Sequence, residues 1–176
     1  MDEQKPWRTV QDAIGDLPVP IHASWPAGRS VLNGGSLFGP TRGGELHLAS
    51  RQSVLSTQRY RAIPLGGNRH DLPDHLKADC WRKPTQGASD VMGRLSWDRP
   101  AVTLRTEFYK PEKGRFLHPS EPRPLTMREG ALLQGFPDDF LWCGSKADVA
   151  RQIGNAVPVP LARAIAMALR THFYGG

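Results

Sequence analysis

Few residues in this sequence combine the right types and spacing for chemistry. The stretch HDLPDHL, at 70–76, brings two histidines and two aspartates together, and these are side chains that can ligate a metal ion. Pro73 interrupts any common helical face and no third histidine or cysteine lies nearby, so a solvated loop is favoured over a metal site. Neither cysteine lies beside a candidate base, and Cys143, which follows Phe-Leu-Trp, is expected to be buried. We therefore predict no metal and no self-sufficient active site.

The composition indicates a small, loop-rich, basic protein. The 176 residues include 18 glycines and 16 prolines, and 39% are hydrophobic, which predicts a modest core. No stretch approaches the roughly 20 apolar residues that span a bilayer, and the polar start MDEQKPWRTV does not resemble a signal peptide. The two isolated cysteines are expected to be reduced thiols, which predicts a cytoplasmic location.

Basic residues are concentrated in two stretches. Residues 51–69 contain four arginines and no acid, and residues 99–128 contain seven basic residues against three glutamates. The formal net charge is +6. Such clusters are typical of proteins that bind phosphate-rich partners, but they also occur on ordinary solvated surfaces, so charge alone leaves both interpretations open.

In the first two thirds of the chain the sequence predicts three elements, of which one is a short helix over 51–63. Residues 7–17 are predicted to form an amphipathic helix, which a capping box of Thr9 and Asp12 would begin. Residues 93–110 have the alternation and the β-branched and aromatic content of β structure. The residues that alternate there are Val102, Leu104, Thr106 and Phe108.

The last third of the sequence predicts helices. Residues 125–136 begin with the N-cap Thr126, have Glu129 three residues later, and end at Gly135. A tight Gly154-Asn155 turn is expected next, followed by a helix from near Pro160. One face of that helix is apolar and consists of Leu161, Ala164, Ile165, Ala168 and Leu169.

Two segments carry a more specific signal. RPLTMREGALLQGFPDDF, at 123–140, and RQIGNAVPVPLARAIA, at 151–166, closely resemble the last two motifs of the DNA (cytosine-5) methyltransferases. Upstream, residues 62–73 and 93–108 look like the target-recognition region of that family, and residues 7–18 resemble the segment that precedes it. The resemblance implies that the chain takes part in transferring a methyl group from S-adenosyl-L-methionine (AdoMet) to carbon 5 of a flipped-out cytosine in double-stranded DNA. It also implies a role in DNA methylation and restriction-modification.

Other motifs of the family are missing from the sequence. These are the Phe-x-Gly-x-Gly cofactor loop, the Pro-Cys nucleophile, the Glu-Asn-Val segment and the Gln-x-Arg-x-Arg strand. The resemblance therefore implies a C-terminal part that works with a separate catalytic chain, as in split members of the family, and that is inactive alone. Two alternatives stay open: a non-catalytic DNA-binding or regulatory protein derived from such an enzyme, and a decaying gene product.

The implied fold is α+β. A small, irregular, β-containing target-recognition domain would occupy residues 21–122, after a connecting segment at 1–20. C-terminal helices at 123–176 would complete the Rossmann-like catalytic domain of the family.

The resemblance also assigns roles to individual residues. Asn155, Ala156 and Val157 match positions that approach AdoMet, although a plain helix-initiating turn would explain the same residues. Thr103 and Leu104 match a pair close to the flipped nucleotide. The DNA-binding candidates are Thr103, Arg105, Lys110, Lys113, Arg115, Arg59, Arg61 and Arg69. Arg123, Thr126 and Glu129 match the next-to-last motif with a structural role, in which the arginine pairs with an acid.

Overall fold

A computed structural model describes residues 7–25, 30–32, 35–37, 40–82 and 90–174 of the chain. Short helices alternate with two- and three-residue strands, so the predicted mixture of α and β structure is confirmed. The helices are α1 (Val10–Ile14), α2 (Val54–Ala62), α3 (Asp79–Arg82), α4 (Met127–Leu133), α5 (Lys146–Asn155) and α6 (Val159–Tyr174). Single 3-10 turns occupy Gly43–Leu46, Arg69–Asp71, Asp74–Leu76 and Pro111–Lys113.

The strands pair into three separate two-stranded sheets within the described residues. The strands are β1 (Ile21–His22), β2 (Ser30–Leu32), β3 (Gly35–Leu37), β4 (Thr41–Arg42), β5 (Leu48–Ala49) and β6 (Leu141–Trp142). β1 runs parallel to β5, with Ile21 opposite Leu48, whereas β2–β3 and β4–β6 are antiparallel. Sheets this small carry little stability of their own, so side-chain packing must hold the fold together.

Two clusters of buried side chains form the core. The larger cluster joins α1, α4 and α5 with side chains from the segments between them, including Trp142 of β6 and Phe108, which are almost fully buried. The smaller cluster packs α2 against the turns at 69–76. Its members are Tyr60, Ile63, Leu72, Leu76, Met92 and Leu117. The predicted helix over 51–63 is confirmed as α2, although Leu55 is exposed.

Capping boxes begin the helices that build the larger cluster. Thr9 and Asp12 cap α1, and Thr126 and Glu129 cap α4, as predicted. In each pair the side chain of one residue binds the backbone amide of the other, which satisfies two amides of the first helical turn. The left-handed conformation predicted after α4 is confirmed at Gly135, where φ is 85°.

The strand predicted over 93–110 is wrong. Apart from a single bridge between Arg94 and Leu117, this stretch forms no β ladder. Residues 101–105 have no regular secondary structure, and turns follow, in which the Phe108 amide donates to the Arg105 carbonyl. Alternating burial requires only an extended backbone, whereas a strand also needs a partner, and none of the described segments supplies one here.

The region around the second resembling motif also differs from its prediction. Gly154 and Asn155 are the last residues of α5, a ten-residue helix that was not predicted, and do not form a tight turn. The following helix, α6, begins at Val159, one residue before the predicted start. Cys143 is exposed rather than buried, because its neighbour Trp142 takes the inward position of β6.

Candidate functional site

A buried ion pair ties α4 to the loop that precedes it. Arg123 donates two hydrogen bonds to Glu129, at 2.8 and 2.7 Å, and two more to Glu121, at 3.1 and 2.8 Å. The side chains of Arg123 and Glu129 are only 7% and 1% exposed. This confirms the predicted pairing of Arg123 with an acid, and the fork of the guanidinium fixes its geometry.

The protonation states in this cluster follow from burial and pairing. Burial favours the neutral acid, but hydrogen bonds and charge from Arg123 outweigh it and lower the pKa of Glu129. Burial lowers the pKa of the neighbouring His118 to about 4. The Nδ1 atom of His118 accepts hydrogen bonds from the amides of Ser120 and Glu121, at 3.3 and 3.1 Å. The cluster therefore contains a neutral histidine beside a charged pair.

The end of α5 is held from two sides. The side-chain amide of Gln134, just after α4, donates to the carbonyls of Ile153 and Ala156, at 2.8 and 3.3 Å. On the other side, Gly154 lies against the backbone of residues 105–106. A Cβ added to Gly154 would lie 2.5 Å from both the Arg105 carbonyl carbon and the Thr106 nitrogen. The backbone around Asn155 is therefore fixed by groups distant in sequence.

Asn155 and its neighbours lie at an exposed edge of this region. Asn155 and Val157 are exposed and Ala156 is half-buried. The Asn155 amide is both a donor and an acceptor, and no hydrogen bond to it is found among the described residues. Asn155 and Val157 together present a polar and an apolar group at this exposed edge.

A cleft of about 340 Å³ brings two of the resembling segments together. Thr103 and Leu104, from the recognition region, line it beside Gly154 and Ala156 from the end of α5. The sequence separates these pairs by about fifty positions. The other lining residues are Arg8, Thr9, Ala13, Pro100, Ala101, Val102, Leu133, Gln134, Pro158 and Leu161.

The basic DNA-binding candidates differ in how free their charges are. Arg105 and Arg61 are exposed. Lys110 and Lys113 are both paired with Glu107. These three side chains together keep one net positive charge.

Three arginine candidates are engaged by the protein itself. Arg115 binds the carbonyls of Gly66, Gly67 and Arg94 and the carboxylate of Asp90. Arg59 donates to the Leu76 carbonyl at 2.7 Å and lies over the Trp81 ring. Arg69 is 8% exposed. Their contacts hold the loops of the smaller cluster in place.

Sequence reasoning missed two cations with defined positions. Arg94 is buried and donates to five backbone carbonyls, those of Tyr60, Ile63, His118, Pro119 and Glu121. Lys146 begins α5, where Ser145 and Asp148 form a capping box whose S-x-x-D pattern was readable in the sequence. Arg94 carries no such local signal, because its acceptors are up to 34 positions away.

The described residues contain no group of three or more histidine, cysteine or acidic side chains that could hold a metal ion. Across the same residues, no helix has the length and apolar character needed to cross a membrane.

Comparison with known families gives the cleft its context. A family model described as C-5 cytosine-specific DNA methylase matches residues 49–171. The chain belongs to this family. The match includes both segments that resemble the last two motifs of the family and most of the residues that line the cleft.

Several members of the family are similar along most of this chain. Type II methylase M.HgiDII of Herpetosiphon aurantiacus is 34% identical over 174 residues, which are 96% of this chain and 45% of that protein. Type II methyltransferase M.Eco47II of Escherichia coli is 33% identical, over 92% of this chain and 41% of that protein. DNA (cytosine-5)-methyltransferase 3 of Arabidopsis thaliana is 34% identical, over 92% of this chain and 12% of that protein. The chain thus spans less than half the length of these curated relatives.

A solved structure has a similar fold. It is described as a DNA modification methyltransferase encoded within a prophage of E. coli, and it superimposes with a TM-score of 0.53 at 24% sequence identity. The similarity covers 92% of this chain and 46% of that one. At this identity the likeness concerns the fold alone.

Proposed function

We propose that this chain is the DNA-recognition and cofactor-pocket-closing part of a DNA (cytosine-5) methyltransferase. The enzyme would transfer a methyl group from AdoMet to carbon 5 of cytosine in a specific DNA sequence. The attacking cysteine and the other catalytic motifs are missing from these 176 residues. In this proposal a separate catalytic chain, carrying the Pro-Cys and Glu-Asn-Val motifs, supplies them.

The observation that carries the proposal is the shared cleft. Thr103 and Leu104 line it together with Gly154 and Ala156, so the recognition region and the segment proposed to meet AdoMet form one surface. A methyltransferase must hold its base and its methyl donor within reach of each other, and a surface made by both segments suits that need.

On the DNA side, the proposal rests mainly on the exposed candidates. Thr103 and Arg105 flank the buried Leu104, so both side chains are directed to solvent beside the cleft. The hydroxyl of Thr103 can donate to a phosphate, and the guanidinium of Arg105 can bind a phosphate or the edge of a guanine. Buried Arg69 and the carbonyl-bound Arg115 serve better as supports of the recognition loops than as direct contacts.

On the cofactor side, this chain would supply one wall. Bound AdoMet supplies the methyl group that is transferred. Asn155 would donate and accept hydrogen bonds, and Val157 would exclude water from an apolar part of the site. Gln134 would keep the backbone of residues 153–156 in place through its two carbonyl contacts.

The surface of α6 favours a further contact outside these residues. Leu161, Ile165 and Leu169 are each at least half exposed, although they form the apolar face of a 16-residue helix. A contiguous apolar face of this kind is typical of an interface. We propose that this face packs on the Rossmann-like catalytic domain. In this arrangement residues 1–20 are the connecting segment, residues 21–122 the target-recognition domain and residues 123–176 the closing part. The enzyme would be cytoplasmic.

Reconstitution tests the proposal. The chain is co-expressed from a plasmid with a chain that carries the Pro-Cys and Glu-Asn-Val motifs. The plasmid DNA is then isolated and digested with a methylation-sensitive nuclease. We expect protection only when both chains are present. Methylation by this chain alone would overturn the split arrangement, and a complete pair without activity would favour a non-catalytic DNA-binding protein.

A variant separates the cofactor role from the DNA role. Asn155→Ala should raise KM for AdoMet in the reconstituted enzyme while leaving DNA affinity of the chain unchanged, because Asn155 would contact only the cofactor. Gln58→Ala, which removes an exposed amide from α2, is the matched control. Equal KM values for the wild type and Asn155→Ala would remove Asn155 from the cofactor site.

A further inference from the structure

A cationic surface lies at the start of α5. The ammonium group of Lys146 donates to the Ser50 hydroxyl at 2.7 Å and lies 5.0 Å from the centre of the Tyr109 ring. Lys110 lies 5.5 Å from the centre of the same ring. Tyr109 is therefore in contact with two lysines that are 36 positions apart in sequence, and both ammonium groups face the electron-rich system of one ring.

Lys146 has no carboxylate to neutralise it among the described residues, and the acids around it have other partners. Glu107 pairs with Lys110 and Lys113, and Asp148 pairs with Arg151 and Ser145. Burial lowers the pKa of Lys146, since a hydroxyl and a ring give it no full counter-charge. A half-buried cation in this setting gains from the arrival of an anion.

The surface continues from Lys146 towards Arg51. A cleft of about 460 Å³ is lined by His22, Trp25, Ser50, Arg51 and Lys146. An adjoining cleft of about 510 Å³ shares His22, Ser50 and Arg51 with it. Its one acid, Glu121, is bound by Arg123. Together the two clefts form a groove that is lined by Lys146, Arg51, the Ser50 hydroxyl and an aromatic side chain. Neither cation pairs with a carboxylate among the described residues.

We infer that Lys146 and Arg51 bind the phosphate backbone of double-stranded DNA, on a track that continues from Lys110 across Tyr109. The inference rests on the proposed function, because it takes DNA as the partner. The two ammonium groups at Tyr109 are at most about 10.5 Å apart, given their distances of 5.0 and 5.5 Å from the ring centre. A DNA strand carries a phosphate every ~3.4 Å along its axis, so this spacing covers at most about three phosphates.

An extended polyanion suits this surface better than a small anion. The cations follow one another along the groove instead of converging on one point, and Ser50 adds a hydroxyl group of the kind that binds phosphate oxygens. Contacts of this class position the duplex without reading its sequence. A duplex of mixed sequence is therefore a valid probe even though the target site is not specified.

The test is the salt dependence of DNA binding by the full chain, measured by fluorescence anisotropy with a labelled mixed-sequence duplex. Lys146→Gln should weaken binding several-fold and lower the slope of log K against log salt by about 0.9, the value for one lost phosphate contact. Arg51→Gln should do the same, and Lys146→Arg should retain the wild-type slope. Arg151→Gln, which removes one charge from the same helix where Asp148 already neutralises it, is the matched control.

The outcomes separate this inference from the proposed function. Equal effects of Lys146→Gln and Arg151→Gln would mean that only net charge matters, which overturns the inference and leaves DNA binding intact. A wild-type chain that binds no DNA would overturn both. Competition by inorganic phosphate at concentrations too low to change the ionic strength would point to a small-anion site instead.

A second measurement needs no variant. Acetylation of lysines in the presence and absence of the duplex, followed by mass spectrometry, should show protection of Lys146. Lys77, which pairs with Asp74, serves as the reference. Protection of Lys146 no greater than that of Lys77 would contradict the inference even if the Lys146→Gln variant failed to fold.

Discussion

Replacing Gly154 with alanine tests how the end of α5 meets the recognition region. Helix propensity alone predicts that Gly154→Ala stabilises the protein, since alanine is favoured over glycine by about 1 kcal/mol inside a helix. The tertiary contact predicts the opposite. The new Cβ would lie 2.5 Å from the Arg105 carbonyl carbon and 2.7 Å from its oxygen, and these are backbone atoms that cannot rotate away.

The two effects differ enough to be separated. Forcing a methyl group into a packed site costs about 1–3 kcal/mol, so after the gain in propensity we expect a net loss of about 1 kcal/mol in the free energy of unfolding. Urea denaturation followed by circular dichroism measures this difference. Gly44→Ala is the control, because a Cβ at Gly44 meets no atom within 4 Å.

Two-dimensional NMR of the same variant gives a local readout. The amide signals of Arg105 and Thr106 should move in Gly154→Ala, since this backbone must shift to admit the methyl group. A variant as stable as the wild type or more stable, with unmoved Arg105 and Thr106 signals, would refute the contact and with it the rigid link between the two sides of the cleft.

Two further predictions concern the buried cluster. Glu129→Gln keeps the capping geometry but leaves buried Arg123 short of a charge, so it should lower the free energy of unfolding by about 3 kcal/mol. Glu121→Gln, at a more exposed position, should lower the free energy of unfolding by less than about 1 kcal/mol. Equal losses for the two variants in urea denaturation would contradict the assignment of Glu129 as the main partner of Arg123. The pKa of His118 is about 4 when folded and about 6.5 when unfolded, so the unfolded chain binds more protons between these values and the protein loses stability as the pH is lowered through this range. Wild-type stability should drop by about 1.4 kcal/mol more than that of His118→Gln between about pH 7.5 and 5.5, and parallel pH profiles would rule this out.

Local signals in the sequence predicted local structure well. The capping boxes of α1 and α4 were predictable because both partners lie within one helical turn. The same kind of signal begins α5 at Ser145, but Gly154 and Asn155 suggested a turn and hid the helix. The strand over 93–110 failed for a different reason, since alternation describes one chain and a ladder requires two.

The candidate site was predictable only in outline. The resemblance identified the segments that contribute Leu104 and Gly154 to the cleft, but not that Gly154 touches the backbone of Arg105. Lys146 carried no signal of its own, because its partners Ser50 and Tyr109 lie far away in the sequence. The domain boundaries, the cofactor contacts and the DNA contacts stay predictions.

The sequence by itself determined the family of this protein, the starts of two helices and the excess of positive charge, because each depends on residue types or on neighbours along the chain. Only the tertiary structure decided which of those charges are available. Arg69 is buried and Arg115 is bound by backbone carbonyls, whereas Arg105 is exposed and Lys146 has no carboxylate partner among the described residues. The physical reason is that a side chain's free charge depends on burial and on its partners in space, and the partners here come from distant parts of the chain.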